Sequence, residues 1–313
     1  MALTKSRTIY SERQGPLMPG VYVTSFPFYA QLGLAPTTPV SELVAQSLHQ
    51  LHLLLAQQTA PSETAAILIE PVMGEGGYIP APKEFLQGLR QISEENGILL
   101  IHDEVQSGVG RTGDFWATEA TGVKPDIIIF AKGIANGFPL SGIASRKEIM
   151  DKQKPGTMGG TYAGNPVSCA AGLAVIEIFA KERVLENVVA RSKQLFDFLE
   201  GLKTKSPAGA LIEDIRGRGL MIGLQFKRSR VSGDSNHAAI HGLARIVDGA
   251  KREQLAPKIS KRCAEKGMLI LSTSIFDVIR FIPPLNVTQD ELAQACRIFQ
   301  ESLEEIAREQ GHI

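Results

Sequence analysis

Cysteine is scarce in this chain: three residues in 313, Cys169, Cys263 and Cys296, each far from the others. That usage argues against a disulfide framework and against a cysteine-rich metal site. Charge of one sign is not in excess either. Lys+Arg number 33 and Asp+Glu 33, a formal net charge of zero, which removes any global electrostatic reason for a nucleic-acid or membrane-surface partner. No uninterrupted apolar run approaches the ~20 residues that a membrane helix needs, and the opening residues have no secretory apolar segment. The expected compartment is the cytoplasm, or the mitochondrion if a presequence is missing from this chain. The six histidines lack metal-ligand spacing; His49 and His52 lie three apart on a helical stretch with no carboxylate on that face, so no metal is expected. No Gly-x-Gly-x-x-Gly opens a helix after a strand, which counts against a dinucleotide-binding domain. Internal repeats and low-complexity tracts are absent as well.

What is there is an ordinary globular ratio, 43% apolar and 21% charged. A chain of this length can bury roughly 75% of the surface exposed when it is unfolded. The first 36 residues are rich in Gly and Pro and show little periodicity. From Pro39 apolar residues recur at helical spacing, and the run 65–70 then predicts a buried strand ended by Pro71. Residues 82–96 predict a helix, with Pro82 at its start and Gly97 as its stop. Two more buried strands are expected at 98–103 and 126–132, and a long helical stretch from about 166 to 202. Strands alternating with helices predict crossover units and a mainly parallel sheet. Beyond about 203 the order is mixed: two short strands about a glycine turn within 212–226, a polar segment at 227–254, a helix at 255–266, strands at 268–272 and 278–282, and a last helix opened by the capping box Thr288/Glu291. This predicts an α/β large domain, residues 1–202, and a smaller C-terminal α+β domain, residues 203–313.

In parallel sheets chemistry gathers at the carboxyl ends of the strands, where Glu70, Asp103 and Lys132 fall. A lysine at the inner end of a buried strand loses hydration, which lowers its pKa and suits it to Schiff-base chemistry; the plain alternative is a lysine that snorkels to solvent. Asp103 at a buried strand end calls for a cationic partner, and the protonated ring nitrogen of pyridoxal phosphate is one such cation; the plain alternative is a helix N-cap. The glycines at 74, 76 and 77 and at 159, 160 and 164 suit phosphate cradles, but also ordinary turns.

Four ordered stretches go further: Ile69-Glu-Pro-Val-Met-Gly-Glu-Gly-Gly77, Asp103-Glu-Val-Gln-Ser-Gly-Val-Gly-Arg-Thr-Gly113, Phe130-Ala-Lys-Gly-Ile-Ala-Asn-Gly-Phe-Pro-Leu-Ser-Gly142 and Gly159-Gly-Thr-Tyr-Ala-Gly-Asn-Pro166. Over nearly its whole length the chain resembles the class III aminotransferases of fold type I, which depend on pyridoxal 5'-phosphate, and especially those acting on 4-aminobutyrate. The resemblance implies that Lys132 is the Schiff-base lysine and proton shuttle, and that Asp103 partners the pyridine nitrogen. It sets Val105 on the ring face and Gln106 near the ring hydroxyl, and has Thr161 reach the cofactor phosphate of a neighbouring subunit in a homodimer. It makes Arg280 and Glu75 a switching pair: the arginine binds the α-carboxylate of glutamate, and the glutamate neutralises it when a substrate has none. Glu70 is given a supporting role.

The implied partners are a small-molecule amine donor and a 2-oxo acid acceptor. The expected reaction is transamination of an ω-amino acid with 2-oxoglutarate. An ornithine-type, diamine or secondary-metabolite ω-aminotransferase is the enzymatic alternative, and an inactive homologue serving as a subunit partner the other. In the family a segment carrying a phosphate cup, a ring-stacking aromatic and a His-Gly-Arg-Thr stretch precedes the point matching Met1, so this chain is expected to lack those parts.

Overall fold

The computed structural model describes residues 2–4, 10–227, 254–273 and 275–313; most of the polar segment expected at 227–254 lies outside them. The chain divides into two compact units. Among the described residues, one comprises 2–4 and 10–64 and the other 65–227, 254–273 and 275–313. In the first unit the main element is helix α1, Val40–Gln57, which buries Leu43, Val44, Ser47, Leu51 and Leu55. That i, i+4, i+8 recurrence is the stripe read from its sequence.

The second unit contains two four-stranded sheets. In the first, β1 (Ala66–Ile69), β4 (Leu99–Asp103) and β5 (Ile127–Phe130) run parallel, and β6 (Gly142–Ser145) pairs antiparallel with β5. A short hairpin of β2 (Val72–Met73) and β3 (Ile79–Pro80) follows β1. Helix α2, Lys83–Asn96, crosses from the hairpin to β4, burying Phe85, Leu86, Leu89 and Ile92, and stops where Gly97 turns left-handed at φ +68°. β1 is less buried than its apolar run suggests, with Leu68 exposed, and β5, expected to be buried, is only half-buried along its length although it lies inside the sheet. The stretch expected as one long helix is two: α3 (Pro166–Lys181) and α4 (Val184–Lys205). They are broken at Arg183, whose φ of +52° lies in the left-handed region.

The second sheet is antiparallel, in the order β7 (Ile212–Arg218), β8 (Met221–Phe226), β10 (Val278–Phe281), β9 (Leu271–Ser272). Helices α4, α5 (Leu255–Glu265) and α6 (Gln289–Glu309) share one core with it. β8 and β10 are buried at every position, which a strand achieves only when both faces are covered. Alternation divides the work. Ile222, Leu224, Phe226, Ile279 and Phe281 belong to the helix-covered core, whereas Met221 packs with Val72 and Tyr78 of the hairpin. Val278 and Gly223 approach Gly77 on that same side. The face of β10 that carries Arg280 is thus the face toward the β2–β3 loop.

Candidate active site

The carboxyl ends of the three parallel strands come together as expected. Ile69 is level with His102, and Asp103 with Ile129, so Glu70, Asp103 and Lys132 follow at one edge of the sheet. Glu70 is half-buried, and its Oε2 accepts the Gly74 amide at 2.6 Å. Burial raises its pKa; the Gly74 amide and Lys132 oppose this, and the Asp103 and Glu75 carboxylates reinforce it. These four charged groups therefore share one electrostatic neighbourhood. Gln106 joins them, since a Cβ on Gly74 would meet both the Gln106 and the Glu70 side chains.

Asp103 and Val105 are half-buried, and Asp103 Oδ1 accepts the Val105 amide at 3.0 Å in a turn rather than at a helix N-terminus. Its neighbour Glu104 is fully buried and accepts the amides of Ala117 and Thr118 at 2.6 and 2.9 Å. This ties the chain beyond β4 to the turn at 117–121.

Lys132 differs from its expected setting. The strand ends at Phe130, and Lys132 opens a 3-10 turn with φ +47° and an exposed side chain, so burial of the lysine at a strand end does not describe it. It lines an open hollow of about 440 Å³ with Gly133, Asn136, Gly137, Phe138, Pro139 and Leu140. The left-handed turn takes the chain off the sheet after one residue and leaves the amine facing that space.

Arg280 and Glu75, 205 residues apart, form an ion pair at 2.8 Å. The pair is asymmetric: the arginine side chain is 10% exposed and the glutamate 45%. It is not the fully buried pair whose rupture would cost several kcal/mol. Thr161 is exposed in the turn before α3, and no described contact joins it to the other site residues.

Two residues without a role in the sequence reading complete the arrangement. Tyr78 lies under Arg280, whose Cζ is 5.7 Å from the ring centroid. Arg111 donates to the carbonyls of Pro283 at 2.6 Å and Leu220 at 3.2 Å, while the Leu220 amide donates back to the Arg111 carbonyl at 2.9 Å. Burial pulls the Arg111 pKa down to about 10. Arg218 adds a second tie, to the Ala117 carbonyl and to Asp114. Arg111 was visible in its Gly-Arg-Thr-Gly stretch; nothing in sequence marked Tyr78 except its place after two glycines.

These groups fit pyridoxal phosphate. An amine suited to its aldehyde and a carboxylate suited to its protonated ring nitrogen stand at neighbouring strand ends, and the hollow beside the amine is of ligand size.

The comparisons agree with that chemistry. Residues 1–303 match the class-III aminotransferase family, and the chain belongs to it. It is 38% identical over 291 residues to a 5-aminovalerate aminotransferase of Pseudomonas aeruginosa, covering 90% of this chain and 64% of that one. Over 307 residues it is 38% identical to a 4-aminobutyrate aminotransferase of Escherichia coli, covering 97% and 65%. Among solved structures, the ornithine aminotransferase of Toxoplasma gondii, described with pyridoxal phosphate at its active site, superposes with a TM-score of 0.74 at 25% identity, covering 99% and 61%. The chain thus spans a little under two thirds of the length of these relatives. The fold is that of the fold type I aminotransferases, and the family's cofactor is pyridoxal 5'-phosphate.

Proposed function

We propose that this chain carries out transamination of an ω-amino acid of the 4-aminobutyrate or 5-aminovalerate kind, with 2-oxoglutarate as amino acceptor, as a homodimer. The single observation behind this reading is the Arg280–Glu75 ion pair beside the strand-end cluster. An ω-amino acid has no carboxylate next to its reacting carbon, whereas glutamate has one. A site serving both needs a cation that can be neutralised from within, and a half-exposed carboxylate paired with a largely buried strand arginine is able to leave. The 5-aminovalerate and 4-aminobutyrate relatives match at 38% over 90% and 97% of this chain, whereas acetylornithine aminotransferases of 37% to 39% identity match over 75% to 80% of it.

In this reading Lys132 Nζ would hold the cofactor through its aldehyde, and its amine would then serve as the group that takes up and returns a proton. The Asp103 carboxylate holds the proton on the ring nitrogen, and its bond from the Val105 amide fixes its aim. Val105 would support the ring and Gln106 would serve its hydroxyl, with Glu70 holding the Gly74 loop that carries Glu75. Thr161 serves the site of the neighbouring subunit, consistent with its exposure. Bound there, pyridoxal phosphate supplies an electron sink for the carbon that loses its proton.

Borohydride reduction in the presence of cofactor, followed by peptide mapping, should label Lys132; a label on another lysine overturns the assignment. Arg280→Ala should slow the glutamate half-reaction most and Glu75→Ala the ω-amine half-reaction. Equal losses for both substrates refute the switch. A panel of 4-aminobutyrate, 5-aminovalerate and ornithine identifies the donor; neighbours differing by one methylene are expected to differ about 10- to 200-fold in kcat/KM.

A further inference from the structure

Arg280 has more than one neighbour, and they differ in how firmly they are held. Nη1 donates to Glu75 at 2.8 Å and Nη2 to the Ser272 carbonyl at 3.3 Å, while the buried Nε has no hydrogen-bond partner among the described residues. The Tyr78 ring is 1% exposed, and its backbone is held at φ +57°, a conformation an aromatic residue adopts only when its surroundings impose it. Those surroundings are specific. Gly77 precedes it at φ +102°, with its carbonyl accepting Arg216 Nε at 3.1 Å and lying against Gly223 of β8. The ring packs with Val72 and Met221. The turn therefore spends backbone strain to place the ring beneath the guanidinium.

A carboxylate and an aromatic face do not compete for a guanidinium. The carboxylate takes N–H groups in the plane; the ring meets the plane from its side. We propose that Tyr78 is the positioning residue of the arginine switch, holding Arg280 by its ring face when the Glu75 carboxylate withdraws, so that the guanidinium stays aimed at the carboxylate of an α-amino or 2-oxo acid. This rests on the reading of Arg280 as a carboxylate site. Without the ring, an arginine that loses Glu75 is a buried charge with only one carbonyl to hold it, and it follows its counter-ion toward solvent. Burial raises the pKa of the Tyr78 hydroxyl against the opposing pull of Arg280 and Arg111, so the support remains neutral.

The test needs no turnover. Arg280 in the full chain is modified with phenylglyoxal and quantified by peptide mass spectrometry over a range of glutamate concentrations. In Tyr78→Leu the glutamate concentration giving half-protection should rise about tenfold, and in Tyr78→Phe it should stay within about twofold. Progressively fluorinated phenylalanine at position 78 keeps the shape and weakens the ring face, so it should raise that concentration stepwise; this series decides the matter if the leucine variant does not fold. Glu75→Gln should lower the concentration whatever occupies position 78. A shift in Glu75→Gln with none in the fluorinated series overturns the role of Tyr78 and leaves the switch standing. If glutamate protects Arg280 in no variant, the carboxylate site itself is wrong, and the inference falls with it.

Discussion

His102 occupies the central parallel strand one residue before Asp103, fully buried, with neither ring nitrogen hydrogen-bonded among the described residues. Burial, helped by the Arg90 charge, depresses its pKa from 6.5 to about 4. The folded protein thus favours the neutral ring. Its contribution is present above pH 6.5 and is lost as pH falls through about 4, an amount of about 3 kcal/mol. His102→Leu should flatten that acid limb in urea titrations run across this window. At pH 7 it should be neutral or stabilising, because it removes two orphaned polar atoms. Glu104 has the opposite sign. Burial raises its pKa from 4.5 to about 6 despite two amide donors, so its contribution is present below pH 4.5 and lost as pH rises through about 6. Glu104→Gln should abolish that slope, of about 2 kcal/mol, in the same titration. It should also loosen the turn at 117–121, visible as faster amide exchange at Ala117 or Thr118.

Elements meet at the β2–β3 loop. A Cβ on Gly223 would strike the Gly77 carbonyl, and one on Gly77 would strike Arg216 and Val278. Gly223→Ala should therefore cost about 1–3 kcal/mol, measured by urea unfolding, and should weaken glutamate protection of Arg280, which pairs with Gly223 across the sheet. At this scale the sequence was readable where one rule governed. Apolar runs closed by Glu70, Asp103 and the Ala-Lys-Gly stretch gave the strand ends, and Thr288 with Glu291 gave the start of α6, whose reciprocal cap is present. It was unreadable where a distant partner decided. α5 begins where it does because Asp277, about twenty residues onward, accepts the amides of Leu255 and Ala256 at 3.0 and 2.7 Å. The break at Arg183 carries no glycine or proline to announce it. β9 is two residues long, not five, and pairs only with Ile279 and Arg280. The Arg280–Glu75 contact was foreseen from the resemblance; local pattern says nothing about residues 205 apart.

For the molecule as a whole, the apolar surface of α3 is unusual. Val167, Leu173 and Ile176 are at least half exposed, and so are Met158 and Tyr162 beside Thr161. Exposed apolar side chains near Thr161, to which the proposed function gives a role at a neighbouring subunit's site, would suit association there. Leu173→Glu should shift sedimentation toward the monomer and, if Thr161 serves a shared site, weaken cofactor binding in parallel. A change in association without a change in cofactor affinity would separate the two. No helix among the described residues is long and apolar enough to cross a membrane.

The contact between the Gly77 carbonyl and Gly223 also has a consequence for anyone recombining this chain with its relatives. A transplanted 74–78 loop brings its own backbone path to a surface with no slack, and a transplanted β8 brings its own side chain to the same point. Chimaeras that exchange one without the other should misfold or lose the seat of Arg280, while those that exchange the loop and β8 together should inherit the donor's substrate preference. Crossover points in any shuffling library are best drawn so that residues 74–78 and 221–226 always come from the same parent.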